Sequence, residues 1–331
     1  MSELIMSSHF SSLIERGRVD PSDVMALRQS TFADGVVCRD EAIGMFAVHT
    51  NCTVKCGEWD EFFVEALSDF LVMNVEPAGY VSEKQAAWLV SAIARNGSVA
   101  TRAELELLIT VLEKSQRSPE RLSAFALAQV ADAVIDHRGP LSGNHRRDRV
   151  ISAADVAMIR RILFAFGGEN AVGISKAEAE VLFRLNDLSI EAENDPAWND
   201  LFVKAIANCM MAVSHYTVPL RSEALRREQW LDNHHESRSF FNRMLADGLK
   251  GVLKAYLDQS DVESAYALRN AARAAEADEA AAISADEARW LAGRINADGY
   301  IRANEKALLT MMKAQSPRVH PDLQPLLDRV A

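Results

Sequence analysis

Two short loops of this chain carry some of the acidic residues, and the glycine, that a calcium-binding loop needs. Counted along an EF-hand loop, the fifth, sixth and twelfth places hold Asp34, Gly35 and Glu41 in one case and Asp298, Gly299 and Glu305 in the other. The first ligand place is Ser30 in one loop and Arg294 in the other, and an arginine would oppose the ion. We therefore predict that both aspartates serve turns. The alternative is a divalent-metal site formed by Asp34, Glu41, Asp298 and Glu305.

The glycine turn recurs, which favours a structural role for it. A β-branched residue follows within two places, and a glutamate near the start of the next helix, after Gly35, Gly97, Gly173 and Gly299. Glycine supplies the left-handed conformation that ends a helix, and the branched residue can insert between helices. We predict that Gly35 and Gly299 have positive φ.

A second candidate metal site is the spacing of His49, Cys52 and Cys56. Residues three and four apart share a helix face, so these three could present zinc ligands. No fourth ligand is evident beyond Cys38, and four cysteines in so long a chain are typical of reduced thiols. The interpretation we favour is a buried polar spot with ordinary thiols. No cofactor is expected.

Sequence motifs of common catalytic sites are absent from this chain. It has no glycine-rich phosphate loop, no Gly-x-Ser-x-Gly elbow, no His-Glu-x-x-His and no dinucleotide fingerprint. We therefore expect a non-catalytic protein. An enzyme with a site between two copies of a repeat is an alternative, because a site built from dispersed residues needs no local motif.

The elements that must position these residues are helices. Apolar residues recur at three and four positions, as in Leu105, Leu108 and Leu112. Helix starts are marked by a serine or threonine followed three places later by an acid or glutamine, at Ser82, Thr101, Ser152, Ser175 and Ser284. The predicted fold class is all-α.

Three blocks of sequence return later in the chain, which predicts an internal duplication. The matched blocks begin at Asp23 and Asp155, at Trp59 and Trp198, and at Ser82 and Ser284. We predict two tandem helical domains, 18–138 and 150–331. Trp59 and Trp198 should occupy equivalent buried sites, each packed with the phenylalanine one turn later, Phe63 or Phe202.

The second domain contains an insertion, residues 212–283, that the first one lacks. It includes an amphipathic helix from Phe240 to Leu257. The apolar face could pack on its own domain, on a protein partner or at a membrane surface, although the mixed charges of the polar face do not favour lipid. We predict that the insertion carries the contact with a protein partner. The first residues to test are Arg226, Arg227, Trp230, Phe240 and Phe241.

The turns at Ala33–Glu41 and Ala297–Glu305 resemble those of the TerB-like family, which is linked to tellurite resistance and to the amino-terminal part of some DnaJ co-chaperones. The resemblance implies compact, acidic, all-helical cytosolic domains that serve as stress-response or interaction modules. It also implies metal association through acidic residues, for which Asp34, Glu41, Asp298 and Glu305 are the matching positions.

Charge and hydropathy exclude several classes of protein. A formal charge of -11 argues against general nucleic-acid binding, and the basic cluster His145–Arg149 is interpreted as a solvated linker. Apolar runs are short and broken by charge, so no membrane span is expected. Residues Met1 to Ile14 lack the pattern of a secretory signal, so we expect a cytoplasmic protein.

Overall fold

The computed structural model describes residues 2–31, 36–75, 78–145, 148–165, 173–212, 285–295, 299–315 and 320–330. Most of these residues are helical, which confirms the all-α prediction. None of the helices in these ranges is long and apolar enough to cross a membrane.

The helices of the described residues are numbered in chain order. Their bounds are α1 Ser2–Arg16, α2 Pro21–Thr31, α3 Arg39–Asn51, α4 Gly57–Val72, α5 Glu83–Ile93, α6 Arg102–Lys114, α7 Glu120–Asp136, α8 Ala153–Leu163, α9 Lys176–Leu188, α10 Pro196–Ala212, α11 Ala285–Ile295, α12 Ala303–Gln315 and α13 Gln324–Asp328. Two minimal strand pairs join them. Strands β1 (Arg18–Val19) and β2 (Val54–Lys55) pair in parallel, and β3 (Ala94–Arg95) and β4 (Ser98–Val99) pair antiparallel.

Contacts divide the chain into two compact units. The first unit is Met1–Gly168 with Glu180–Asp195, and the second unit is Glu169–Ala179 with Pro196–Ala331. Helix α8 and most of α9 therefore group with the first unit. The domain boundaries predicted from the repeat, 18–138 and 150–331, stay a prediction.

Helix starts are fixed by the capping boxes that the sequence predicts. In each box the side chain of the first residue accepts a backbone N–H, and the later side chain accepts the N–H of the first residue. This geometry is present at Ser82 and Gln85, Thr101 and Glu104, Ser152 and Asp155, and Ser175 and Glu178. The predicted box at Ser284 lies outside the described residues.

Helix α4 forms the centre of the first unit. It packs against α2, α3 and α6, and α1 packs against α3. Trp59 and Phe63, one turn apart on α4, are fully buried, with ring centroids 6.2 Å apart. In the second unit α10 packs against α12, and Trp198 and Phe202 are buried with centroids 5.9 Å apart. The predicted burial of both tryptophans, each against its phenylalanine, is confirmed.

The last helices of the first unit are held by arginine and carboxylate pairs. Arg161 of α8 donates to Glu106 at 2.6 and 2.9 Å and to Glu113 at 2.5 and 2.8 Å, both on α6. Arg184 of α9 pairs with Asp132 at 2.9 Å and Asp136 at 2.7 Å, both on α7. Ion pairs this exposed each contribute little to stability, but their forked geometry fixes the register of the helices.

The prediction that His145 to Arg149 form a solvated linker is wrong for His145. Its side chain is only 5% exposed, and its Nε2 lies 3.2 Å from Asp155 Oδ1, without the alignment of a hydrogen bond. Asp148 and Arg149 are exposed, as predicted. A run of charged residues is usually exposed to solvent. Here His145 lies beside the first turn of α8, where the buried carboxylate of Asp155 attracts its imidazole.

Candidate functional site: a buried polar chain in the first unit

The described glycine turns are built as parts of the scaffold. The branched residues Val37, Val99 and Ile174 are all buried. Their backbone groups are paired with amide side chains: Val99 N–H donates to Gln129 Oε1 at 2.8 Å, and Ile174 N–H donates to Asn208 Oδ1 at 2.9 Å. These hydrogen bonds satisfy backbone N–H groups that are buried together with the branched residues of the turns.

Two of the four candidate metal residues lie within the described residues. Glu41 accepts the backbone N–H of Cys38 at 2.8 Å, and Glu305 accepts that of Arg302 at 2.8 Å. Glu305 is buried. Both carboxylates therefore hold the start of a helix. Asp34 and Asp298 lie outside the described residues, as do the candidate contact residues Arg226, Arg227, Trp230, Phe240 and Phe241.

The turn before α12 tests the predicted role of glycine. Gly299 has φ +81°, which confirms the positive φ predicted for it, whereas Gly35 lies outside the described residues. The carbonyl of Gly299 accepts a hydrogen bond from the Arg329 side chain at 3.1 Å.

Replacing Gly299 with alanine should lower the free energy of unfolding by about 1 kcal/mol, because a side chain is penalised at this φ. A Cβ would meet no atom within 4 Å, so the cost comes from the backbone alone. Gly293→Ala is the matched control, since Gly293 lies in α11, also without neighbours within 4 Å, and should stabilise by about 0.4–1 kcal/mol. Urea titrations of both variants that gave the same sign would contradict this reading.

A chain of hydrogen bonds crosses the centre of the first unit. Trp59 Nε1 on α4 donates to His49 Nδ1 on α3 at 3.1 Å, and His49 Nε2 lies 3.0 Å from Thr101 Oγ1. The Thr101 hydroxyl donates to Glu104 Oε2 on α6 at 3.1 Å. We call these four residues the polar chain. It links α3, α4 and α6, and His49, Trp59 and Glu104 are buried.

The surroundings of His49 are apolar on one side and polar on the other. Its ring stacks on Phe63 with centroids 4.2 Å apart and planes inclined by 20°. Lys55 Nζ donates to the backbone oxygens of His49 at 2.8 Å and Cys52 at 2.9 Å, where a cation complements the end of α3. His49 is thus tied to three elements of the unit.

The described cysteines of the first unit, Cys38, Cys52 and Cys56, are ordinary thiols. Cys52 is buried and its Sγ donates to Leu13 O at 3.3 Å. Burial raises the pKa of Cys52 and Cys56 above the usual value, which favours the neutral thiol over the thiolate that binds metals. The predicted buried polar spot is confirmed for His49 and Cys52. Within the described residues no three His, Cys, Asp or Glu side chains converge to hold a metal ion.

Sequence reasoning missed Thr101 as the partner of His49. The two are 52 positions apart, and no local spacing signals their contact. The capping box pairs Thr101 with Glu104 alone. In the second unit the indole Nε1 of the buried Trp198 has no hydrogen-bond partner among the described residues, so the two tryptophans differ in their polar contacts.

Comparison with known proteins finds no matching family model, no similar curated protein and no similar solved structure. The polar chain and the glycine turns must therefore be interpreted from their own geometry.

Proposed function

We propose that this chain is a non-catalytic interaction module made of two tandem TerB-like helical domains. The observation that carries the proposal is a repeated series of helix lengths. Helices α2 to α6 have 11, 13, 16, 11 and 13 residues. Among the described residues α8 to α12, with residues 213–284 between α10 and α11, have 11, 13, 17, 11 and 13. The third helix of each series packs on the fifth, α4 on α6 and α10 on α12. An internal duplication accounts for both regularities.

The use of the buried acids supports a structural role. Glu104, Asp155, Glu178 and Glu305 are buried, and each accepts the backbone N–H at the start of its helix. A carboxylate in this position stabilises the helix start through both a hydrogen bond and the helix dipole. We assign these groups to the scaffold, and a stress-response role in the cytoplasm follows from the TerB-like resemblance.

The partner contact belongs, in this proposal, to the insertion at residues 212–283, because only one copy has it. Replacing residues 214–282 with a short flexible linker should leave the first unit folded and abolish capture of a protein partner from cell lysate. Trp230→Ala and Phe241→Ala should each weaken capture, since aromatic side chains supply much of the energy of interfaces. Capture is measured by quantitative mass spectrometry against the intact chain.

The matched control is Met25→Ala, which removes an apolar side chain that is 63% exposed on α2. It should leave capture unchanged. A linker variant that stays folded and still captures every partner of the intact chain would refute the assignment to the insertion. A variant that unfolds entirely would place the amphipathic helix in the core instead.

Calorimetry separates this proposal from the metal-binding alternative. In an EF-hand the glutamate at the twelfth place gives both oxygens to the ion, whereas Glu305 already accepts the Arg302 N–H. We therefore expect no stoichiometric heat with calcium, magnesium, manganese or zinc. A signal that is lost in Asp298→Asn and kept in Asp286→Asn would establish the metal site, because Asp286 is an exposed acid on the preceding helix.

A further inference from the structure

The hydrogen bonds of the polar chain determine which proton His49 carries. An indole N–H can only donate, so His49 Nδ1, which receives the bond from Trp59, must be without a proton. A neutral imidazole then has its proton on Nε2, and that N–H donates to Thr101 Oγ1. The hydroxyl of Thr101 in turn donates a hydrogen bond to Glu104 Oε2. Every bond of the chain therefore runs in one direction, from Trp59 to Glu104.

Protonation of His49 is incompatible with the first hydrogen bond of the polar chain, from Trp59 to His49 Nδ1. An imidazolium carries N–H groups on both nitrogens, so Nδ1–H would face the Trp59 N–H, donor against donor. The ring has no room to escape, because it is buried and stacked on Phe63. Trp59 lies in the first turn of α4, so loss of this hydrogen bond destabilises the start of α4.

The charged groups around His49 oppose one another. Glu104 of α6 lies beyond Thr101, where its negative charge favours a cation, and its Oε2 also accepts the Thr101 backbone N–H at 2.8 Å. Lys55 places an ammonium group against the carbonyl of His49 and disfavours a second cation there. Asp60 of α4 interacts with Lys55, and burial raises the pKa of this carboxyl.

We propose that His49 is an acid-sensitive latch: its protonation releases Trp59 and loosens α3 and α4 in the first unit. An imidazole freed by such opening has an ordinary pKa of about 6.5. The closed state holds the neutral ring, so acid favours the open state and stability is lost as the pH falls through this range. Between pH 7.5 and 5.5 the opening equilibrium constant should rise roughly tenfold.

The test is peptide-level hydrogen exchange of the full chain at pH 7.5 and 5.5, corrected for the intrinsic exchange rate at each pH. Protection of α3 and α4 in the intact chain should fall roughly tenfold at the lower pH. His49→Asn keeps an acceptor for Trp59 but binds no proton. Its protection should be lower at both pH values, and the ratio between the two pH values should be near one.

His9→Asn is the matched control, because His9 is an exposed histidine on α1 and its replacement should keep the tenfold effect. If His49→Asn does not fold, His49→Gln takes its place, and imidazole NMR of the intact chain gives an independent answer. The His49 ring should remain in the neutral Nε2–H form at pH 6. A His49 ring that is protonated at pH 6 in the intact chain, or a pH effect retained in the His49 variants, overturns the latch.

Discussion

Replacing Trp59 with alanine is expected to lower the free energy of unfolding of the first unit by about 3–5 kcal/mol. The indole is fully buried, contacts Phe62 and Phe63, and donates to His49. Alanine would leave a cavity at the centre of the packing of α3, α4 and α6 and would remove the first bond of the polar chain. Urea unfolding followed by circular dichroism measures the loss.

Two further variants separate packing from hydrogen bonding at this position. Trp59→Phe keeps much of the apolar volume and removes the N–H donor, so it should cost less than alanine. Trp198→Ala should cost the second unit about 3–5 kcal/mol as well, since that indole is equally buried. A loss below about 1 kcal/mol for Trp59→Ala would mean that the indole does not support the core in the way its burial indicates.

Gly44→Ala should destabilise the first unit by about 1–3 kcal/mol, although alanine normally favours a helix. Gly44 lies in α3, and an added Cβ would come 2.5 Å from Phe10 Cε2 and 2.9 Å from Phe10 Cγ. Phe10 is buried on α1, so its ring can move only if the two helices separate. Thermal and urea unfolding of the variant measure this strain.

The control for this substitution is Gly57→Ala in the same unit. Gly57 begins α4, and a Cβ there would meet nothing within 4 Å, so alanine should be neutral or stabilise by up to about 1 kcal/mol. The double variant Phe10→Leu with Gly44→Ala should recover part of the loss. Equal effects of Gly44→Ala and Gly57→Ala would show that α1 does not approach α3 closely in solution.

Features that depend on neighbours three or four positions apart could be predicted from the sequence. The caps at Ser82 and Thr101, the packing of Trp59 on Phe63 and the positive φ of Gly299 all follow from local rules. Backbone geometry within one turn of a helix is set by the residues of that turn, and tertiary contacts only reinforce it.

Features that depend on how helices meet could not be predicted in this way. The buried polar spot predicted at His49 and Cys52 is present, but α3 ends at Asn51, so the two do not share a helix face. The partner of His49, Thr101, comes from a helix start 52 positions away. His145 shows the same limit, because it is buried against Asp155 although it begins a run of charge. In both cases the partner is determined by the return path of the chain, which local periodicity does not encode.

The arginine pairs of the first unit have a consequence for biosynthesis. Arg161 follows Glu106 by 55 positions and Glu113 by 48, and Arg184 follows Asp132 by 52. A nascent chain that has just completed α7 therefore has acidic side chains on α6 and α7 before these two partners have been synthesised. Exposed carboxylates repel one another only weakly, so α6 and α7 can form first, but the contacts that fix the register of the helices form only after α8 and α9 leave the ribosome. The first copy of the predicted repeat, 18–138, ends after α7, whereas the first compact unit also includes α8 and most of α9, which carry these arginines.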